Sequence, residues 1–442
     1  MGNYENSENF ENRKDTIAMK YLKKNKFVFL FFSLLILGMA GSILQKDIAF
    51  SSAENRYLTQ FPTLTMTGLS DGSYMNAMER YLNDQFIGRN RWITLKTASE
   101  KTLFQKNVIE DVCIGTDSYL MNQYTYSEVD AAQITKNIDY LNGFQEKYDA
   151  DVILVPSASE ILTNRLMGSI DQIDFTSLLA DAPITLSADT ILSAHREEPI
   201  YYKTDHHWTL LGAYYVYEEF IQQLSHGSTS DSSVVGSIPS DQSASAPITS
   251  DASTPGVSPS GALAVPYDPL TVSTNFQGTV ARKVGITNIW DHMEQQKSDT
   301  SFIVTYDYGN TVTDSLYVPN YLTKTDQYSY YLDGNHGVTQ ITNLSLSDSS
   351  PALPDAPSIS QGRNTLPSEP GTGSSILIIK DSFANTFATL LCENYENVYL
   401  IDLRHYNGSI DTFIADNGID QVLFLYSKIN FMQDKNLSKL LR

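Results

Sequence analysis

Eighteen consecutive residues, Phe27–Leu44 (FVFLFFSLLILGMAGSIL), carry no charge, and this run constrains the chain more than any other feature. As a helix it would be ~27 Å long, about the thickness of a bilayer's hydrocarbon core. Lys20, Lys23, Lys24 and Lys26 stand before it; Lys46 and Asp47 follow. The positive-inside rule therefore predicts a cytoplasmic N-terminus, with everything after Lys46 outside. A cleaved signal peptide, with Gly38-Met39-Ala40 as its cleavage site, is the competing reading, and the long polar lead-in favours an uncleaved anchor. A buried core helix fits these flanks least. The expected organisation is a cytoplasmic tail (1–26), an anchor or signal segment (27–44) and an extracytoplasmic domain (45–442) at the cell membrane, or secreted if the segment is cleaved.

Charge narrows the function. Lys+Arg number 30 against Asp+Glu 51, a net charge of −21. Such a chain does not bind nucleic acid as its main business, because phosphate neutralisation needs clustered cations. The 27 Tyr and 19 Phe call for a chain folded over most of its length. Two cysteines, Cys113 and Cys392, are too few for a disulfide framework or a structural zinc site. Both sit among apolar neighbours and read as buried free thiols, with one disulfide as the alternative.

Two segments interrupt the globular pattern. Residues 228–262 are mostly Ser, Pro, Thr, Ala, Gly and Asp without an aromatic; 346–375 is similar, with Pro351, Pro354, Pro357, Pro367 and Pro370. Both read as flexible insertions, since they have too little apolar surface to offset their ordering entropy. Between them Tyr267–Asn343 looks β-rich. Elsewhere apolar runs (Asp151–Val155, Ile376–Ile379, Val398–Ile401, Val422–Leu425) alternate with helical patterns, one capped by Thr209 and one over Phe383–Cys392. Ile200–Lys203 reads as a short extended piece. Continuous apolar strands between helices predict a parallel sheet covered on both faces. Function in such sheets collects at the carboxyl ends of strands.

Two chemically loaded segments fall at such places, Lys203-Thr-Asp-His-His-Trp208 and Lys380-Asp-Ser-Phe-Ala-Asn385. A serine between a buried strand and a helix presents its hydroxyl at the sheet edge, where following N–H groups can meet an oxyanion. Ser382 then needs a base, and the base needs a group to fix its tautomer. In an extended segment Asp205 and His207 point to one side and His206 faces away. Taken singly, Asp381-Ser382 also reads as a helix cap and the His pair as a packed polar cluster.

The run Tyr201-Tyr-Lys-Thr-Asp-His-His-Trp-Thr209, followed by Gly212-Ala213-Tyr214, resembles the signature of the DHHW protein family of Gram-positive bacteria. That family is similar to the alginate O-acetyltransferase group of exported proteins. Ser52–Leu58 through Phe61-Pro62, Tyr81–Phe86 with Gly88, Arg89 and Trp92, Lys380–Phe383, and Asp402–Tyr406 resemble its further blocks. The resemblance implies an SGNH-hydrolase-like α/β domain, its parallel sheet flanked by helices, with a β-rich insertion and an N-terminal transmembrane helix. It also implies Ser382 as nucleophile, His207 as general base and Asp205 as the group orienting His207. Asn385, Arg404 and His206 are oxyanion or substrate-binding candidates. Lys380 stands where the acetyltransferases commonly have Gly, so it either crowds the turn or adds a cation beside the serine.

The implied activity is O-acetylation of a surface or secreted polysaccharide. The implied partners are the polysaccharide acceptor and a membrane-bound O-acyltransferase supplying acyl groups, with no cofactor and no metal. A carbohydrate esterase with the same triad is the nearest alternative, and a non-catalytic glycan-binding protein the next. A metal phosphoesterase, suggested by Asp205-His206-His207, would need further Asp and His ligands that the sequence does not offer.

Overall fold

The computed structural model describes residues 25–51, 56–167, 172–227, 263–347 and 374–442. The expected insertion at 228–262 lies outside the described residues, as does 348–373 of the second; Ser375 opens a strand. The chain divides into two compact units, Met1–Gln105 and Lys106–Arg442.

The first unit holds α1 (Lys26–Leu44), long and apolar enough to cross a membrane by length and composition, with none of its residues buried. Helices α2 (Ser73–Asp84) and α3 (Arg89–Thr102) follow, and Gly72 and Gly88, both with positive φ, precede them.

The second unit is built on a seven-stranded mixed sheet. Its strands are β1 (Asp151–Val155), β2 (Phe302–Tyr306), β3 (Thr311–Thr313), β4 (Val338–Asn343), β5 (Ser375–Lys380), β6 (Asn397–Ile401) and β7 (Gln421–Ser427), in spatial order β3-β2-β4-β6-β5-β7-β1. The four strands β6, β5, β7 and β1 are parallel, and β4, β2 and β3 extend the sheet antiparallel. The β-rich stretch read between the insertions is therefore divided. Part of it completes the main sheet, because alternate residues such as Val304 and Ile341 bury themselves in the shared core. The rest, Pro269–Phe276 with Asp291–Gln296, forms a separate antiparallel pair.

Side chains alternate across the sheet as the pleat requires. Ile376 and Ile378 of β5 enter one core with helices α5 (Leu210–Gly227) and α6 (Ala384–Leu391), while Leu377 and Ile379 enter the other with α4 (Ala131–Tyr148). β5 is buried at every position, which places its carboxyl end, and the serine after it, centrally in the sheet. Thr209 caps α5 through a bond from the Gly212 N–H to its hydroxyl (3.3 Å). Cys113 and Cys392 are both buried free thiols.

Candidate active site

The segment carrying Asp205 and His207 is not extended as its residues suggest. Tyr201 and Trp208 pair across an isolated antiparallel bridge, and the Tyr202 N–H donates to His207 O (3.2 Å), so the six residues between the bridge partners fold into a bent loop. Its polar backbone is satisfied by Asp291, whose carboxylate accepts from the Lys203 N–H (2.9 Å), the Thr204 N–H (2.8 Å) and the Thr204 hydroxyl (2.6 Å). Thr204 in turn accepts from the Gly278 N–H (3.0 Å).

The bend changes the expected geometry. Asp205 meets His207 through an Asx-type turn, its Oδ1 accepting from the His207 N–H (3.1 Å) and from Nδ1 (2.6 Å). Its other oxygen accepts from the N–H (2.7 Å) and hydroxyl (3.0 Å) of Thr279. Burial by itself would raise the Asp205 pKa, but His206, His207 and these hydrogen bonds outweigh it and hold the carboxyl well below its usual range. An ionised carboxylate can only accept, so Nδ1 of His207 carries the proton and Nε2 is left to accept.

His206 does not face away. Its Nδ1 lies 3.0 Å from the Thr279 hydroxyl and 3.4 Å from Asp205 Oδ1, and its ring centre is 3.9 Å from that of His207. The extended-strand argument fails here because a bend abolishes the period-two alternation. Burial and the neighbouring His207 push the His206 pKa down to about 4. The ring keeps 33% exposure; solvent there weakens the shift without changing its direction, toward neutral imidazole.

Ser382 comes from the other side of the site. It occupies the turn between β5 and α6, and its Oγ lies 2.8 Å from His207 Nε2. Asp381, 1% exposed, anchors this turn: one oxygen accepts from the Phe383 N–H (2.9 Å), the other from the N–H (2.8 Å) and hydroxyl (2.7 Å) of Ser427 and from Asn430 (2.8 Å). The N–H groups following the serine are thereby consumed, since Ala384 donates to Asp381 O (3.2 Å) and Asn385 to Ser382 O (3.3 Å). Among the described residues the Ser382 N–H has no partner.

The other sequence candidates hold the scaffold. Asn385, a candidate for oxyanion or substrate binding, donates to Gly334 O (3.0 Å) and accepts from Lys380 Nζ (2.8 Å). Lys380 does not crowd the turn: its ammonium, on a side chain 1% exposed, also donates to Asn335 (2.7 Å) and lies 4.0 Å from Asp402. Burial draws its pKa down to about 8 against the pull of Asp402. Arg404 grips Asp402 with two nitrogens (2.9 and 2.5 Å), leaving 37% of its side chain exposed.

Sequence reasoning missed several groups. Tyr328 stacks flat on His207 (centroids 3.7 Å, planes 7° apart), and its hydroxyl reaches Thr386 (2.8 Å). Gly278 lies against Asp205 so closely that a Cβ there would be 2.2 Å from Asp205 Cβ. Neither residue belongs to a motif, and each arrives from a distant stretch of chain. Gly212, by contrast, stands in the recognised run, and a Cβ there would lie 2.3 Å from Ile200 O.

Asp205, His206 and His207 offer ligand atoms within 4.8 Å of one another, spacing that could hold a cation. The donor set fits poorly, because His207 Nδ1 spends its proton on Asp205 and His206 Nδ1 is engaged with Thr279.

The Bacillus cereus PatB1 structure with a sulfonyl adduct is 19% identical over 75% of this chain and 98% of its own, with a TM-score of 0.51, which shows a shared fold. A DHHW family protein from Eubacterium siraeum is 21% identical (74% of this chain, 93% of that one, TM-score 0.49). The O-acetyltransferase domain of Pseudomonas putida AlgJ is 10% identical (74% and 94%, TM-score 0.38). No curated protein matches the chain. Residues 187–238, which contain Asp205-His206-His207-Trp208, match the model of the family described as DHHW protein, the family that the sequence resembles.

Proposed function

We propose that the protein is an O-acyltransferase, acetylating hydroxyls of a surface or secreted polysaccharide through Ser382, His207 and Asp205 on an SGNH-hydrolase-like scaffold. The observation that carries this reading is the unbroken line Asp205–His207–Ser382, at 2.6 and 2.8 Å. His207 Nε2 takes the Ser382 proton as Oγ attacks the acyl carbonyl carbon, and Asp205 stabilises the resulting imidazolium. The imidazolium returns that proton to the leaving group, giving an acyl-serine. An acceptor hydroxyl then loses its proton to His207, attacks the acyl carbon and releases Ser382, which regains its proton. The Ser382 N–H is the backbone donor left for the oxyanion. On this reading the site is extracytoplasmic whether α1 stays as an anchor or is cleaved, and the acyl group comes from a membrane-bound O-acyltransferase.

PatB1 is known with a sulfonyl adduct, and the same chemistry supplies the test. Phenylmethylsulfonyl fluoride should label Ser382 in the purified chain, and p-nitrophenyl acetate should be cleaved by wild type but not by Ser382→Ala. Equal cleavage by both would overturn the reading. Added oligosaccharide that collects the acetyl group supports transferase over esterase; acetate as the only product reverses that choice.

A further inference from the structure

The block Tyr81–Phe86, Gly88, Arg89 and Trp92 stands out in the sequence yet lies outside the serine's unit. Half of it clamps the chain leaving α1. Gln85, 2% exposed, accepts from the Ile48 N–H (2.9 Å) and donates to Ile48 O (2.9 Å) and Thr59 O (3.0 Å); Asp84 accepts from the Thr59 N–H (2.8 Å). The end of α1 is tied as well, since the Ile87 N–H donates to the Ser42 hydroxyl (3.0 Å).

The other half lines a cavity of about 930 Å³ whose walls include Met39 and Ile43 of α1, Leu82 and Phe86, and Trp92 and Ile93 of α3. That size is in the range of ligand-holding pockets. Leu82 (51%), Trp92 (46%) and Phe86 (37%) remain exposed at it, a contiguous apolar surface of the kind that marks an interaction site. α3 adds charge: Arg89, Arg91, Lys96 and Lys101 against Glu100, a net +3 in a chain of net −21.

We infer that this unit is a lipid-binding collar whose cavity takes an acyl chain of an anionic phospholipid. The inference rests on reading α1 as a membrane-crossing helix. Met39 and Ile43 belong to both the all-round apolar surface of α1 and the cavity wall, so the lipid-facing surface runs into the cavity without a break. The C-terminal end of a crossing helix lies where hydrocarbon gives way to headgroups, the depth that tryptophan favours. The cations of α3 complement a phosphate headgroup there.

The test uses the full chain in vesicles of phosphatidylglycerol or phosphatidylcholine carrying bromine on a shallow acyl carbon. Trp92 is one of three tryptophans, so wild type should show contact quenching of up to about a third of its emission that Trp92→Phe lacks. Phosphatidylglycerol should quench more strongly, and Leu82→Gln should reduce the effect. Release of the chain by alkaline washing would overturn the reading of α1 and the inference with it. A chain that resists washing but is quenched equally in wild type and Trp92→Phe would spare α1 and overturn the lipid cavity, leaving a partner's transmembrane helix as its occupant. Equal quenching by both lipids would overturn the headgroup preference.

Discussion

Replacing Gly278 by alanine tests the site through a residue that takes no part in the chemistry. The backbone at Gly278 (φ −81°, ψ −177°) is open to any residue, so the added methyl acts by contact alone. Its carbon would stand 2.2 Å from Asp205 Cβ and 2.4 Å from Oδ2. Carbon atoms rest ~3.5–4.0 Å apart, so one partner must retreat by ~1.3–1.8 Å. Both partners are tied down, Asp205 by Thr279 and His207, and Gly278 by Thr204. A displacement of that size at the group orienting the base should lower kcat for p-nitrophenyl acetate by about 10²-fold, with KM little changed. Overpacking should cost ~1–3 kcal/mol of stability, a few degrees in melting temperature. Gly418→Ala is the control. Gly418 ends a helix at φ +58° with open space around it, so alanine there costs ~1–2 kcal/mol of backbone strain. Its activity should stay at wild type. Full activity in Gly278→Ala would refute the claim that the Asp205 position governs the site, and equal activity losses in both variants would show that stability alone was being read.

Ser382→Ala should lower ester cleavage by roughly 10⁴–10⁶-fold in a kinetic assay while leaving the melting curve in place. His206→Gln should leave the pH profile of kcat/KM between pH 5 and 8 little shifted, because burial and the neighbouring His207 hold the His206 pKa below the ordinary imidazole value. Its native pKa lies below the ordinary 6.5, so the unfolded chain binds the proton first as pH falls, and wild type loses stability between those values. Melting at pH 7 and pH 5 should show a smaller drop for His206→Gln. Tyr328→Phe should cost no more than about threefold in kcat, because the hydroxyl bonds Thr386 and not His207, whereas Tyr328→Ala removes the ring that braces the imidazole and should cost ~10–10²-fold. A reporter active only in the cytoplasm, fused after Arg442, should be silent if α1 crosses the membrane.

Much was legible in the sequence because the signals are local. An eighteen-residue apolar run can only be a long apolar helix, and β5, β6 and β7 announce themselves as uninterrupted apolar stretches since strands buried on both faces tolerate no alternation. Ser382, His207 and Asp205 were nameable because the chemistry of each is specific to its residue type and the surrounding run resembles a known family. What the chain could not reveal locally is how segments 175 residues apart meet, as His207 and Ser382 do. The bend at Thr204–His207 depends on Asp291, 87 residues from Thr204, and it overturned the alternation that would have turned His206 away. The covering of His207 by Tyr328 and the clearance left by Gly278 depend likewise on long-range packing. Residue identity determined which groups could do chemistry; the tertiary structure decided which of them touch, because a hydrogen bond of 2.6 or 2.8 Å tolerates errors far smaller than any spacing rule along the chain can specify.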